Sequence, residues 1–314
     1  MIKYYVFCPD LIGVETSYEN FSWVFGRNAP EVSKDLYDKC LIKLQVVLDK
    51  DKNIAEECVN FKDRFGDFYG DYGSNTIIFN KKIKFLGSIA YKISRNKNTL
   101  SVVIGKNHLK YVKFKFMHLH PMYYILFDFA TALLLENGFM PIYSSAVKLN
   151  NGKTVVMIAS PNTGKSLTSL KLVKDYNAVL ISEDVAVTNG ESIWPIPYTD
   201  SYRNYGSSFK KGNCIFSDKS EKINSLFWLL KGESLTKTIT QKEFEKIQLL
   251  NDYLLYYAKS PTLDAFSFFN DSLKNTELMN MEKQIIMKMF NNTNAKFIFE
   301  NDAIKYADDI ANES

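Results

Sequence analysis

Ala159-Ser160-Pro161-Asn162-Thr163-Gly164-Lys165-Ser166 is bracketed by two very different stretches. The apolar run Thr154-Val155-Val156-Met157-Ile158 precedes it and reads as a buried strand. Leu167-Thr168-Ser169-Leu170-Lys171-Leu172 follows and continues as a helix. A strand, a loop ending in Gly-Lys-Ser and a helix are the context a phosphate-binding P-loop requires. Backbone N–H groups of such a loop turn inward on phosphate oxygens. The helix N-terminus adds about half a positive charge at the same place. The residues expected around a nucleotide are Ser160, Pro161, Asn162, Thr163, Gly164, Lys165, Ser166 and Leu167. Lys165 would reach the terminal phosphates, and the Ser166 hydroxyl would take Mg²⁺. Ala159 stands where the motif usually opens on glycine, which a negative φ tolerates. The competing interpretation is a polar strand-to-helix turn capped by Ser or Asn.

Outward from the loop, Ile142 to Leu149, a turn at Asn150-Asn151-Gly152 and the strand form a hairpin that delivers the chain into the motif. Upstream of that, Pro121 opens a helix that runs to Glu136 and stops at Asn137-Gly138. Beyond the motif, Ala178-Val179-Leu180-Ile181-Ser182 is a second buried strand, expected beside the first, ending in Glu183-Asp184. A carboxylate there can hold Mg²⁺ against phosphates, and a second can accept a proton from an attacking hydroxyl. Strand alternation sends the two to opposite faces unless the strand ends in a bulge. Asn189-Gly190 is a hairpin turn. Arg203, the only arginine after Arg95, sits in a Gly- and Ser-containing segment suited to closing over phosphates.

Residues 1–118 read as a β-rich domain. Its alternating segments include Cys40 to Leu48, Thr76 to Phe79 and Leu100 to Ile104, set apart by turns at Lys50-Asp51-Lys52-Asn53, Gly66-Asp67 and Gly70-Asp71. Residues 119–240 form the core around the loop, and 241–314 a helical C-terminal part with candidates Leu249–Tyr257, Thr262–Leu273 and Glu277–Phe290. The fold class is α/β (α+β), a strongly twisted mixed sheet around the P-loop. With 314 residues, 46% hydrophobic and 24% charged, the chain can bury a large core.

A net charge of +4 without a dense basic run gives nucleic acid no electrostatic footprint. No run of 18 apolar residues suggests a membrane span, since the longest candidate, Tyr123 to Leu135, carries Asp128. The N-terminus is too short and polar for a signal peptide. Cys8, Cys40, Cys58 and Cys214 are widely spaced, as free thiols of a reducing cytoplasm would be. His118 and His120 alternate on an extended segment without an evident third metal ligand.

Tyr143-Ser144-Ser145-Ala146-Val147, the turn, the loop and Leu180-Ile181-Ser182-Glu183-Asp184 resemble the HPr kinase/phosphorylase-like group. That group shares the core of ATP-dependent phosphoenolpyruvate carboxykinases. Asn224 to Gly232 is also similar to members with this core. The β-rich first part is more like relatives from peptide-modification pathways than a sugar-regulation HPr kinase. The resemblance implies transfer of the ATP γ-phosphate to a serine-type hydroxyl of a peptide, protein or small metabolite. It implies Lys165 on the phosphates, Ser166 and Glu183 on Mg²⁺, and Asp184 as base. Members of the group often assemble, which leaves a homo-oligomer open, but no residue here reads out the oligomeric state. Two positions depart from the pattern: the group's histidine is Tyr143 here, and its first aspartate is Glu183. A degenerate, nucleotide-binding partner protein is the alternative. A GTPase switch lacks its guanine reader, because Asn80-Lys81-Lys82-Ile83 has no aspartate.

Overall fold

The computed structural model describes residues 1–17, 31–49, 59–63, 66–70, 75–83, 87–105, 121–183, 185–196, 217, 219–246, 266, 268–269 and 275–314. The chain forms two compact units. One comprises Met1–Val24, Ala29–Glu136 and Ala258–Met279; the other comprises Phe25–Asn28, Asn137–Tyr257 and Asn280–Ser314.

The first unit is built on eight strands: β1 Lys3–Cys8, β2 Ile12–Thr16, β3 Ile42–Asp49, β4 Val59–Asp63, β5 Gly66–Tyr69, β6 Thr76–Ile83, β7 Gly87–Asn96 and β8 Thr99–Gly105. Their order in one sheet is β1-β2-β3-β8-β7-β6-β5-β4. Period-two patterning made this sheet. Ile42, Leu44 and Val46 are buried while Lys43 and Gln45 between them are partly exposed. The register lines the apolar positions up across strands: Leu44 lies opposite Leu100, Val46 opposite Val102, and Val102 in turn opposite Ile93. Phe79 and Tyr91 face each other with rings stacked at 5.4 Å. Gly66 and Asp67 are not a turn but the start of β5, with Asp63 paired to Gly66. Helix α1 spans Lys34–Asp38, and α2 spans Pro121–Glu136 with the bounds the proline and the Asn-Gly pair predict. Gly138 takes φ +80°, the left-handed conformation that ends a helix there.

The second unit contains β9 Met140–Ile142, β10 Ser144–Lys148, β11 Thr154–Ala159, helix α3 Lys165–Tyr176, β12 Val179–Ser182, β13 Ala186–Thr188, β14 Ser192–Trp194, β15 Glu221–Lys222, β16 Ser225–Leu230, β17 Leu235–Thr238, residues 280–291 of helix α4 Asn275–Asn291, β18 Asn294–Phe299 and helix α5 Lys305–Glu313. Six strands form a mixed sheet in the order β12-β10-β11-β16-β18-β17. β11, β16 and β18 run parallel. All six residues of β11 are buried, as a strand covered on both faces demands. Asn224 locks the parallel pair at its start: its Oδ1 accepts the Thr154 N–H at 2.8 Å, and its own N–H donates to Thr154 O at 3.0 Å. On one face, Val155, Met157 and Ala159 pack with Leu172 and Val173 of α3 and Tyr306 and Ile310 of α5. Four short antiparallel strands form another sheet, in the order β15-β14-β13-β9. Asn189-Gly190 turns β13 into β14, with Gly190 at φ +87° and Asn189 Oδ1 accepting the Ser192 N–H at 2.9 Å.

Two expectations change. β12 does not flank β11, because β10 lies between them. The hairpin at Asn150-Asn151-Gly152 sets β10 on one edge of β11 and β16 takes the other, so the strand returning from α3 adds outside β10. The C-terminal part is not purely helical. β18 lies between α4 and α5 and pairs with β16 near the middle of the sheet. Among the described residues, no helix is long and apolar enough to cross a membrane.

Residues 241–246 form a helical turn capped from both directions. The Thr240 N–H donates to Glu243 Oε2 at 2.9 Å, and the Glu243 N–H donates to Thr240 Oγ1 at 3.3 Å. Lys237 pairs with the same carboxylate at 2.6 Å. Lys237 first, then the Thr240 backbone and hydroxyl, lower the Glu243 pKa to about 2. A carboxyl held below its unfolded value stabilises the fold above that value, about 4.5, and loses the contribution as pH falls toward about 2. The stability difference between wild type and Glu243→Gln, followed by urea unfolding, is therefore expected to be constant above pH 5 and to vanish near pH 2. A difference that does not change with pH would remove the carboxylate from the account.

Candidate functional site

The loop from β11 to α3 is shaped by two left-handed residues. Asn162 takes φ +64°, and Gly164, the N-cap of α3, takes φ +116°. Asn tolerates that region through its short polar side chain; the φ of Gly164 suits glycine alone. The Thr163 N–H closes a turn onto Ser160 O at 3.3 Å, and the Thr168 N–H reaches Gly164 O at 2.9 Å. As the N-cap, Gly164 offers α3 no side-chain cap. Its first-turn N–H groups, which have no partner within a helix, face the loop. Pro161 and Asn162 are exposed, Ser160, Thr163, Gly164 and Ser166 partly buried, and Leu167 is 41% exposed.

Lys165 is the first residue of α3 and only 5% exposed. Its ammonium sits 3.3 Å from the centre of the Tyr143 ring. Tyr143 precedes β10, whose Ser145 and Ala146 lie opposite Met157 and Val156 of β11. Beneath the first turn of α3 a polar seam ties helix to sheet. Ser169 Oγ donates to Lys165 O at 3.0 Å, and Ser145 Oγ donates to Ser182 O at 3.0 Å. The Ser145 and Ser169 hydroxyls meet each other.

Glu183 follows the last residue of β12 and is 1% exposed. β12 carries a bulge ahead of this residue: Val147 lies opposite Leu180 and Ala146 opposite Ser182, so Ile181 is the extra residue. Asp184 and Arg203 lie outside the described residues, as do His108, His118, His120, Cys58 and Cys214. Cys8 and Cys40 are buried free thiols. Burial pushes the Cys40 thiol up to about 11 and the Cys8 thiol well above its ordinary value, which leaves both inert. Among the described residues no three His, Cys, Asp or Glu side chains cluster as a metal site.

The chain after β18 also shapes the loop, which nothing in the local sequence announced. Thr168 Oγ1 lies 3.2 Å from Ala303 O, across 135 residues of sequence. A Cβ on Gly164 would come within 2.4 Å of the Ala303 Cβ. Helix α5 is latched to α3. The Tyr176 hydroxyl donates to Asp308 Oδ1 at 2.8 Å and Lys171 pairs with the same oxygen at 3.1 Å, which together hold that carboxyl below its usual range. The Tyr306 hydroxyl lies 2.5 Å from Leu230 O and 2.9 Å from Glu300 O.

Lys165 and Ser166 thus open α3 directly after the loop, while Glu183 follows β12, which β10 separates from β11. No protein family model matches the chain, and no curated protein does. Among solved structures, the Hpr(Ser) kinase/phosphatase from Coxiella burnetii is a neighbour at 15% identity and a TM-score of 0.23, with 38% of this chain and 96% of that chain covered. A likeness at that level carries no functional argument, and the residues must supply it.

Proposed function

We propose that this chain is an ATP-dependent kinase that transfers a phosphate to a hydroxyl of a peptide, protein or small metabolite. The observation that carries the reading is Lys165: a buried lysine on the first turn of α3, at the end of a loop shaped by left-handed Asn162 and Gly164. The ammonium stands at the N-terminal end of α3 beside the loop, a place where backbone N–H groups and the helix dipole favour phosphate.

In this reading the loop residues 160–164 and the first N–H groups of α3 bind the phosphates, with Leu167 at the rim. Bound Mg-ATP supplies the γ-phosphoryl group, whose bond to the β-phosphate oxygen breaks as the acceptor oxygen attacks. Lys165 neutralises charge on the phosphates. Ser166 and Glu183 hold Mg²⁺. Asp184 accepts the proton that the acceptor hydroxyl loses, and Arg203 supplies positive charge to the equatorial oxygens.

One observation favours a second reading, a nucleotide-binding partner without transfer. Tyr143 occupies the position of the group's histidine, and its ring already engages Lys165. Thermal unfolding with Mg-ATP tests binding, and mass gain on an acceptor tests transfer. At about a hundred times Kd, a ligand adds about 2.7 kcal/mol. That raises the midpoint by several degrees, at roughly 2–4 °C per kcal/mol. Lys165→Ala is expected to remove the shift. Asp184→Asn is expected to keep the shift and to abolish transfer. No shift in folded wild type would refute the nucleotide site, and a shift without transfer to any hydroxyl acceptor would select the second reading.

A further inference from the structure

We propose that Tyr143 is a positioning residue that holds Lys165 in reserve: its ring occupies the ammonium until a nucleotide's phosphates take the ring's place. The inference rests on the nucleotide reading above and assigns that site its own internal competitor. Its basis is the 3.3 Å approach of Lys165 Nζ to the ring centre, close to van der Waals contact, at a residue only 5% exposed. A desolvated ammonium over an aromatic face is a strong form of that contact. Both groups are fixed from behind. Tyr143 is followed by Ser144 and Ser145, fully buried at the head of β10. Lys165 is held at its carbonyl by Ser169 on the next turn of α3. The exchange of partners thus falls to the lysine side chain, whose stem can swing while both backbones stay in place.

Phosphate must win the ammonium from the ring, so the affinity measured for nucleotide is the intrinsic affinity reduced by the fraction of molecules in which Lys165 is released. A neutral aliphatic side chain at position 143 removes the competitor. A histidine there could compete in the same way only when its ring is neutral, whereas tyrosine presents an uncharged π face at any ordinary pH.

The test uses the full chain with Mg-ATP as probe. Lysine Cε is ¹³C-labelled, and the Lys165 signal is assigned by its loss in Lys165→Arg. Wild type is expected to show that signal shifted upfield by the ring, and Mg-ATP is expected to release it. Tyr143→Phe, which keeps a ring, is expected to keep the upfield signal and to release it in the same way. Tyr143→Leu is expected to lack the shift from the start and to bind Mg-ATP on the order of tenfold more tightly. The proposal is overturned if the signal stays upfield with Mg-ATP bound, or if folded Tyr143→Leu binds no more tightly than wild type. It is also overturned if Tyr143→Phe loses the shift, since the hydroxyl would then be the operative group. Should Tyr143→Leu not fold, the Phe variant and the wild-type titration still decide. An upfield Lys165 in protein that binds no Mg-ATP at any concentration would instead refute the nucleotide reading, and the role of Tyr143 with it.

Discussion

Gly164→Ala is expected to destabilise the protein by about 2–4 kcal/mol and to remove any response to Mg-ATP. Two costs combine at this residue. The backbone sits at φ +116°, where a side chain is strained wherever it points. The new Cβ would also come 2.4 Å from the Ala303 Cβ and 3.3 Å from its Cα, so the chain before α5 must move. That chain is not free to move, because Thr168 reaches Ala303 O and Tyr176 and Lys171 hold Asp308. The two costs can be separated. Ala303→Gly removes the methyl that Gly164→Ala would strike and leaves the backbone strain in place. Gly164→Ala measured in an Ala303→Gly background should therefore cost roughly 1–2 kcal/mol less than in wild type. Urea unfolding of the four proteins gives the cycle. A loss below about 0.5 kcal/mol for the single variant would mean that the loop relaxes freely, and the tight seat of Gly164 on Ala303 would have no energetic meaning.

Much of this region was legible from local chemistry. The strand into the loop, the helix out of it, the Asn-Gly turns and the bounds of α2 all follow from signals within a few residues, and each was read. The errors fall where a choice depends on distant partners. Whether the strand ending in Ser182 adds beside β11 or beyond β10 is decided by β10 and the distant β16, which hold the two edges of β11. β18 was missed because Ala295-Lys296-Phe297-Ile298-Phe299 follows a strong helical pattern. Its pairing partner, β16, lies far upstream in the sequence. The site divides in the same way. Lys165 and the loop were visible as a motif. Ala303 carries no chemical label and matters only because the fold seats it on Gly164. Tyr143 was noted as a departure from a pattern, but that its ring would lie over Lys165 is a fact of three-dimensional placement.

Glu136→Ala is expected to cost about 3–5 kcal/mol, because it removes a bidentate carboxylate from a buried guanidinium. Helix α2 ends on this glutamate and has no basic residue in its last turn. A carboxylate at a helix C-terminus opposes the macrodipole, so the position needs a cation from elsewhere. Arg95 of β7 supplies it: Nη2 meets Oε2 at 2.5 Å and Nη1 meets Oε1 at 3.2 Å, with side chains only 7% and 10% exposed. The same guanidinium donates from Nε to Lys97 O at 2.9 Å and lies 4.9 Å from the centre of the Phe266 ring. It therefore ties the β7–β8 turn, the end of α2 and an aromatic side chain together. Lysine could not fill that role, since it lacks both the fork and the plane. The desolvation of two charges offsets much of their attraction, so the pair as a whole need not add much stability. That distinction gives the test. Glu136→Ala and Arg95→Met should each be strongly destabilising by urea unfolding. The double variant Arg95→Met/Glu136→Leu, which buries apolar groups in place of both charges, should recover at least about 2 kcal/mol of the summed loss. Additive losses would mean that the two side chains stabilise the unit independently, through the Lys97 and Phe266 contacts rather than through each other.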